Sequence, residues 1–247
     1  MVITGASSDF GHHFARVLHG AGARVVLGAR HLEHLNDRVT SPQSKDNVAI
    51  AATLDVNDAG SCESFLETAA SYFVRIDGLI NNAGVLAGAK TYTMIYEADW
   101  DYMLDINLKP AWRLSNIYTE LLQRNAEQQH GSIINIASIT AYRTIKGQFP
   151  YAVSKAALVK ATEVMALEGA RYGIRVNALA PGYILTDVSR LLLESDHADE
   201  FMKSIPMCRY SEFEDLDGPF LLLASDSSSF MTGSTIVIDG GHICAEL

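Results

Sequence analysis

The stretch Met1-Val-Ile-Thr-Gly-Ala-Ser-Ser-Asp-Phe-Gly11 decides the fold. It begins with a β-prone run, glycines bracket the short turn that follows, and residues 12–21 have the apolar spacing of a helix. Such a turn lets backbone N–H groups approach a phosphate at a helix N-terminus, where the helix dipole favours negative charge. The stretch therefore predicts a strand, a phosphate-binding turn and a helix.

Strand-like and helix-like segments alternate along the rest of the chain. Most strand-like segments are continuous apolar runs, which is typical of a parallel sheet buried on both faces. Predicted strands cover residues 1–4, 24–29, 48–54, 77–80, 132–137, 174–179 and 235–239. Predicted helices cover residues 12–21, 32–39, 61–73, 98–125 (with a bend near Pro110), 151–171, 186–203 and 214–224. We therefore expect an α/β fold: a single Rossmann-type domain over residues 1–247, with a doubly wound parallel sheet of about seven strands and helices on both faces.

Charge and cysteine content restrict the function. The formal net charge is −10, which argues against a nucleic-acid-binding surface. The cysteines are widely spaced and form no CxxC pair, so the sequence favours a reducing cytosol over disulfides or zinc. No signal peptide is recognisable, and no apolar run is long enough to span a membrane. We expect a cytoplasmic protein that binds neither nucleic acid, nor membrane, nor metal.

Six residues that could take part in binding lie at the carboxyl ends of the predicted strands or just beyond them. They are Gly11, Arg30, Asp55, Asn82, Ser138 and Pro181. Ligands of such folds bind outside the carboxyl ends of the strands, at the point where the strand order reverses. The sequence therefore predicts a binding site along this one edge of the sheet.

Tyr151 and Lys155 are four residues apart and share one face of a predicted helix. A phenol titrates near pH ~10, and a neighbouring ammonium favours the phenolate and lowers that pKa. Ser138, at the end of the preceding strand, can donate a hydrogen bond to a substrate oxygen. The three residues predict a proton donor, a cation that lowers the pKa of that donor, and a hydroxyl that holds the substrate oxygen by a hydrogen bond. A Tyr-x-x-x-Lys pair alone also occurs on many solvated helices.

These motifs resemble those of the short-chain dehydrogenase/reductase family, in its shorter branch. The segment Thr4–Gly11 is similar to the family's glycine loop, and Asn81-Asn-Ala-Gly84 is similar to its NNAG segment. Pro181-Gly182 with Thr186 resembles its PGxxxT segment, and residues 220–241 resemble the C-terminal region of bacterial 3-oxoacyl reductase-like oxidoreductases. The resemblance runs from one end of the chain to the other.

The resemblance implies an NAD(P)-dependent oxidoreductase that transfers a hydride between a nicotinamide and a ketone or secondary alcohol. It implies that Tyr151 is the general acid or base, that Ser138 binds the substrate oxygen, and that Lys155 lowers the Tyr151 pKa and holds the nicotinamide ribose. Asn107 completes the family's catalytic tetrad and is expected to hold a water that links Lys155 to solvent. Its amide could also bond a helix backbone near Pro110.

The same resemblance implies a cofactor site on the loops at this edge. The implied residues are Gly5, Ser7, Ser8, Asp9, Phe10, Gly11, Arg30, Asp55, Val56, Asn82, Ala83, Gly84, Tyr151, Lys155, Pro181, Gly182, Ile184 and Thr186. NAD-selective relatives carry an acid at the position of Ala29, which here is small and neutral. Arg30 follows it, and arginine recognises phosphate through a fixed fork of donors. NADP (NADPH) is therefore favoured over NAD.

Asp9 departs from the family pattern, because it replaces the middle glycine of the loop. Aspartate tolerates left-handed backbone geometry and is a good N-cap for a following helix. We therefore expect its carboxylate to face away from the cofactor phosphates and to leave cofactor binding intact.

The resemblance also implies a substrate pocket, formed by Ser138, Thr140, Gln148, Tyr151 and Tyr183. A helical lid over about residues 187–206 is expected to cover it. The apolar lid suits an apolar or acyl substrate, but any amphipathic helix has such a face. The substrate is predicted only as a ketone or secondary alcohol. Family members commonly form tetramers through the two long helices, so a homotetramer or homodimer is expected.

Three alternatives stay open from the sequence. One is an NAD(H)-preferring dehydrogenase of the same family. Another is a regulatory protein that binds the nucleotide without turnover, against which the intact tetrad argues. The third is a nucleotide-sugar epimerase or dehydratase, which carries a larger C-terminal substrate domain than the segment that follows Gly182 here.

Overall fold

Seven parallel strands form one sheet at the centre of the computed structural model, which describes residues 1–33, 35, 49–125, 130–184, 186 and 202–245. The strands are β1 (Val2–Thr4), β2 (Val25–Ala29), β3 (Ala49–Thr53), β4 (Gly78–Asn81), β5 (Gly131–Ile136), β6 (Ile174–Pro181) and β7 (Thr235–Ile238). Their order is β3-β2-β1-β4-β5-β6-β7. The predicted doubly wound α/β fold is confirmed, and its strand order reverses between β1 and β4.

Helices cover both faces of the sheet. The helices are α1 (Asp9–Gly20), α2 (Ala59–Tyr72), α3 (Glu97–Asn107), α4 (Lys109–Arg124), α5 (Phe149–Gly169) and α6 (Asp217–Ala224). On one face α1 and α6 meet through Phe14 and Phe220, whose rings stack 4.3 Å apart. On the other face the core contains Phe65 from α2 and Tyr118 from α4. The central strands are mostly apolar because both of their faces are buried.

The long helix predicted over residues 98–125 is two helices that meet at Leu108. Pro110 is the second residue of α4. Proline has no N–H and its ring displaces the carbonyl group four residues earlier, so the chain cannot continue one regular helix through it. The predicted bend near Pro110 is therefore confirmed as a complete break, and Asn107 is the last residue of α3.

Other boundaries shift by a few residues. Helix α5 begins two residues before Tyr151, which places Tyr151 in the first turn. The predicted helix over residues 214–224 begins as the 3-10 turn Phe213–Leu216 and continues as α6. Most of the helix predicted over 32–39 and of the lid predicted over 187–206 lies outside the described residues. No helix in the described part of the chain is both long enough and apolar enough to cross a membrane.

Candidate active site

Tyr151 and Lys155 lie one turn apart on the same face of α5, as predicted. The Lys155 ammonium is 5.7 Å from the centre of the Tyr151 ring. It donates a 2.7 Å hydrogen bond to the carbonyl oxygen of Ile136, the last residue of β5. Only 5% of Lys155 is exposed. A buried lysine thus connects the helix to the carboxyl end of a central strand.

Ser138 lies just beyond β5, where an extended backbone leads into the 3-10 turn Ile139–Ala141. Its hydroxyl caps this turn by accepting a 3.2 Å hydrogen bond from the N–H of Thr140. The same hydroxyl is hydrogen-bonded to Tyr151, a contact that by itself lowers the pKa of the phenol. The hydroxyl of Thr140 is buried and has no partner among the described residues. The predicted group of Ser138, Tyr151 and Lys155 therefore comes together in space.

Burial determines the pKa of both ionisable groups. It raises the pKa of Tyr151, and the Ser138 hydrogen bond offsets only part of the rise. It lowers the pKa of Lys155 to about 8. In each case the charged form is disfavoured because it is removed from water. The direction at Tyr151 is opposite to the lowering predicted from the sequence, because desolvation outweighs the stabilising contacts. Tyr151 is thus protonated at neutral pH and can donate a proton.

Asn107, at the end of α3, uses its amide to hold the loop that follows β4. Its Oδ1 accepts a 2.7 Å hydrogen bond from the N–H of Val85, and its Nδ2 donates one of 2.9 Å to the Val85 carbonyl. Nδ2 also lies 3.2 Å from the hydroxyl of Ser154, on α5. The amide therefore bonds this loop rather than the backbone of its own helix. A Cβ placed on Gly84 would lie 3.4 Å from Asn107 Oδ1 and 3.6 Å from Lys155 Nζ, so these groups are neighbours.

The glycine loop after β1 is packed tightly against the turn that follows β4. Gly5 has φ +63°, and a Cβ on it would lie 2.8 Å from the Cα of Ala83. A Cβ on Gly11 would overlap the carbonyl oxygen of Gly5. Asn82 Nδ2 donates 3.0 Å hydrogen bonds to the carbonyl oxygens of Thr4 and Gly5. The Asn82 side chain thus shapes the loop, whose residues Ser7 and Ser8 are exposed beside the N-terminus of α1.

Ser8, not Asp9, caps helix α1. The Ser8 hydroxyl accepts a 3.1 Å hydrogen bond from the N–H of Gly11, while Asp9 is the first residue of the helix. The prediction that Asp9 is the cap is therefore wrong, because the extended backbone of Ser8 already places a side-chain oxygen at that N–H. Asp9 contributes negative charge to the first turn, where the helix dipole favours it. The ring of Phe10 packs 5.3 Å from that of Phe213.

Arg30 follows β2 and is exposed. It makes no hydrogen bond or ion pair with any residue that the structure describes. Asp55 lies beyond the next strand, and its Oδ1 accepts a 3.0 Å hydrogen bond from the N–H of Asn57. Val56 packs partly buried against the core. Within the described part of the chain Arg30 is thus a cation without a partner at the predicted cofactor edge, whereas Asp55 shapes its own turn.

The loop after β6 runs close to the end of β7. The N–H of Gly182 donates a 2.8 Å hydrogen bond to the carbonyl oxygen of Ile238. A Cβ on Gly182 would lie 2.8 Å from the Cα of Asp239, so only glycine fits this approach. Ile184 and Thr186 are buried further along the loop. The loop is therefore held firmly where it leaves the sheet.

Two cavities lie near this edge of the sheet. The first, which we call the Tyr151 cavity, includes Tyr151 and Gln148 in its lining. The second is lined by Tyr183, which precedes the predicted lid, by Ile205 at the end of that lid, and by residues that follow it, among them Met207. The Tyr183 ring packs 5.5 Å from the ring of His242. The predicted substrate residue Tyr183 thus lines a different cavity from Tyr151 and Gln148.

A buried amide network beneath the site has no counterpart in the sequence prediction. Asn81 Nδ2 donates to Asn135 Oδ1 at 2.9 Å and to the Ser115 hydroxyl at 3.1 Å. Asn135 Nδ2 donates in turn to the Thr162 hydroxyl at 2.8 Å. The network joins β4 and β5 to the two helices that cover them. The sequence feature that could have indicated this network is an asparagine within an otherwise apolar strand. A buried polar group requires a hydrogen-bond partner, so such an asparagine predicts a second polar residue beside it.

Comparisons with known proteins agree with this geometry. A family model described as enoyl-(acyl carrier protein) reductase matches residues 5–242. The chain is 34% identical over 242 residues to the 3-oxoacyl-(acyl-carrier-protein) reductase FabG of Thermotoga maritima, covering 98% of this chain and 96% of that one. It is 34% identical over 242 residues to the human dehydrogenase/reductase SDR family member 4, covering 97% and 86%. A gluconate 5-dehydrogenase of Burkholderia cenocepacia, solved with NADP and tartrate, superposes with a TM-score of 0.92 at 29% identity, covering 99% and 95%.

Proposed function

Because the chain belongs to the short-chain dehydrogenase/reductase family, we propose that it reduces a ketone with NADPH and that Tyr151 supplies the proton. Membership of this family makes it an NAD(P)-dependent oxidoreductase. The observation that carries the proposal is the buried contact of Tyr151 with Ser138 and Lys155 at the end of β5. The names of the relatives, a 3-oxoacyl reductase and a gluconate 5-dehydrogenase, support a carbonyl or alcohol substrate.

The proposed reduction forms a C–H and an O–H bond as the carbonyl π bond breaks. The bound nicotinamide supplies the hydride. Tyr151 donates its phenol proton to the carbonyl oxygen, and Ser138 donates a hydrogen bond that orients the same oxygen. The Lys155 ammonium then stabilises the phenolate. Tyr151 regains its proton from solvent, for which Asn107 is proposed to hold the relaying water.

The residues at the carboxyl edge fit a dinucleotide. Gly5 and Gly11 leave no room for side chains because the loop packs closely on itself and on residues 82–83, and its backbone at the start of α1 is proposed to bind the pyrophosphate. Asp55 and Val56 are proposed to flank the adenine, and residues 82–84 the adenosine ribose. Because the Asn82 side chain is bonded to the glycine loop, its contribution is to hold that loop. The nicotinamide end is proposed to be held by Lys155 together with Pro181, Gly182, Ile184 and Thr186.

Arg30 supports a preference for NADP over NAD. It is exposed, follows a neutral alanine at the end of β2, and has no partner among the described residues. A guanidinium in this position can bind a 2′-phosphate through two hydrogen bonds. The NADP bound to the Burkholderia relative is consistent with this preference. An acid at the end of β2 would instead favour the free ribose hydroxyls of NAD.

Replacing Arg30 by alanine is expected to weaken NADPH far more than NADH. Hydrogen bonds to charged groups contribute about 1.5–3 kcal/mol, so the Kd for NADPH should rise roughly 10- to 150-fold. The Kd for NADH should stay close to the wild-type value, because NADH has no 2′-phosphate. Both can be measured by fluorescence titration. Arg171→Ala, which removes an exposed arginine at the opposite end of the sheet, is the matched control. An equal rise in Kd for NADPH and for NADH would show that Arg30 does not bind the 2′-phosphate.

The overall activity is tested with a panel of ketones and secondary alcohols, each assayed with NADPH and with NADH. The absorbance of the reduced nicotinamide reports turnover in both directions. We expect reduction of at least one ketone, with NADPH the better cofactor. Binding of NADPH without turnover of any compound would favour a regulatory nucleotide-binding protein. A clear preference for NADH would favour the NAD-dependent alternative.

We further propose that the protein is a homotetramer, or a homodimer, formed through α3, α4 and α5. Large apolar side chains are exposed on these helices, among them Trp112 at 56% and Leu167 at 81%. Exposed apolar area of this kind is typical of a surface that binds another protein. A monomer in light scattering would contradict the proposal. The cytosolic location stays a prediction from the sequence.

A further inference from the structure

The turn that follows β3 is held by its own backbone and by helix α2. The N–H of Asp55 donates a 2.9 Å hydrogen bond to the hydroxyl of Ser61. The carbonyl oxygen of Asp55 accepts a 3.2 Å hydrogen bond from the N–H of Asp58, and it lies 3.8 Å from the Cys62 sulfur. These contacts fix the start of the turn that carries Asp55 and Val56, both proposed to flank the adenine.

Helix α4 holds the other end of the same turn through Arg113, which is partly buried. One guanidinium nitrogen donates hydrogen bonds of 3.1 Å to the carbonyl oxygen of Val56 and of 3.4 Å to that of Asn57. Burial raises the pKa of the Cys62 thiol, and a hydrogen bond with Arg113 offsets part of that rise. Arg113 makes no ion pair within the ranges that the structure describes. A permanently charged side chain is thus directed at two backbone carbonyl groups of the turn.

One peptide group connects Arg113 to the Asp55 carboxylate. The carbonyl of Val56 and the N–H of Asn57 belong to the same peptide bond, which is trans. In a trans peptide the C=O and N–H groups point in opposite directions. The N–H of Asn57 therefore points away from the guanidinium, and it donates a 3.0 Å hydrogen bond to Asp55 Oδ1. By fixing this peptide group, Arg113 also fixes the carboxylate on its other side.

We propose that Arg113 is a positioning residue for the adenine of the cofactor, and that it acts through the peptide group of residues 56–57 and the Asp55 carboxylate. A charged hydrogen bond at the carbonyl polarises the peptide group, which strengthens the bond that its N–H donates. With Oδ1 held in this way, the carboxylate keeps one orientation and can accept a hydrogen bond from the 6-amino group of adenine. The inference rests on the proposed function, because it assumes that Asp55 flanks the adenine.

Replacing Arg113 by methionine tests the inference, because methionine keeps an unbranched apolar stem and removes the donors. Losing a hydrogen bond that involves a charged group should raise the Kd for NADPH about tenfold. Arg113→Lys keeps the charge without the fork of donors, so its Kd should lie between those of Arg113→Met and the wild type. It also takes the place of Arg113→Met if that variant does not fold. Arg124→Met removes an exposed arginine from the same helix and is the matched control, which should leave the Kd unchanged.

A double-mutant cycle tests whether Arg113 acts through Asp55. In an Asp55→Ala background the carboxylate is absent, so Arg113→Met should raise the Kd for NADPH by less than about twofold. Reduced nicotinamide hypoxanthine dinucleotide phosphate asks the same question from the ligand side, because its 6-oxo group cannot donate to Asp55. Its Kd should also differ by less than about twofold between the wild type and Arg113→Met. This comparison needs no second substitution, so it decides the point if the double variant does not fold.

The outcomes separate this inference from the proposed function. An unchanged Kd for NADPH in Arg113→Met would overturn the inference while leaving cofactor binding and turnover in place. A rise that persists in the Asp55→Ala background, or that is equal for the hypoxanthine cofactor, would show that Arg113 supports the site as a whole, and would also overturn the inference. Failure of the wild type to bind NADPH would overturn the proposed function and with it the inference.

Discussion

Replacing Tyr151 by phenylalanine is expected to lower kcat for ketone reduction by about 10²- to 10⁴-fold, the range typical of general acid catalysis. The ring and its packing on α5 are kept, so only the hydroxyl bonded to Ser138 is lost. Binding of NADPH should be unchanged, because the substitution removes no charge and leaves the buried Lys155 in place. Steady-state rates on the best ketone of the panel and fluorescence titration with NADPH measure the two effects separately.

The matched control for this substitution is Tyr142→Phe. Tyr142 follows the 3-10 turn beyond Ser138 and is 48% exposed, so its hydroxyl can be removed without disturbing the buried cluster. Its kcat should equal that of the wild type. Retention of turnover in Tyr151→Phe would eliminate the proton-transfer role. A loss of NADPH binding equal to the loss of rate would show that the hydroxyl acts on the cofactor site instead.

Replacing Lys155 by methionine is expected to lower activity and raise stability together. The proposed contacts of the ammonium with the phenolate and the ribose are hydrogen bonds to polar or charged groups, worth about 1.5–3 kcal/mol. Their loss should lower kcat/KM roughly 10- to 150-fold. Burial lowers the pKa of Lys155 from 10.5 to about 8, so the charged form is destabilised in the folded state by about 3 kcal/mol. Loss of the bond to Ile136 offsets part of the gain.

The gain in stability should depend on pH. Below about pH 8 the lysine is protonated in both the folded and the unfolded state, so the full penalty of the buried charge is present. Between about pH 8 and 10.5 only the unfolded state keeps the proton, so wild-type stability rises with pH in this window. The advantage of Lys155→Met should therefore shrink by about 1 kcal/mol between pH 8 and 9.

Urea unfolding at pH 7 and pH 9, at one protein concentration, measures this difference. Lys160→Met, which removes an exposed lysine from the same helix, is the control and should show no such dependence on pH. A constant free-energy difference between Lys155→Met and the wild type at both pH values would contradict a lowered lysine pKa. Full activity in the variant would remove Lys155 from the proposed mechanism.

The fold and the position of the site were predictable, because both follow from patterns along the chain. Continuous apolar strands separated by helices predict a parallel sheet, and the carboxyl ends of parallel strands meet at one edge. Residues as distant in sequence as Asn82 and Ser138 were therefore expected to lie at the same edge of the sheet. The break at Leu108 was also foreseeable, since Pro110 cannot continue a helix.

What individual side chains do at that edge was not predictable in the same way. Whether Ser8 or Asp9 caps α1 depends on the dihedral angles of one turn. Whether an amide faces a ligand or clamps a loop depends on packing, and Asn82 does the latter. The direction of the Tyr151 pKa depends on how much water reaches the phenol, which the spacing to Lys155 does not determine.

The buried pair of Asn81 and Asn135 has a consequence for how faithfully the sheet assembles. The two residues are direct partners across β4 and β5. If β5 slipped along β4 by two residues, the apolar faces would still match, but the buried Oδ1 of Asn135 would lose the hydrogen bond from Asn81. An unpaired buried polar group costs about 1–3 kcal/mol. The hydrogen bond between Asn81 and Asn135 therefore favours the native alignment over misaligned sheets that are otherwise almost equally apolar.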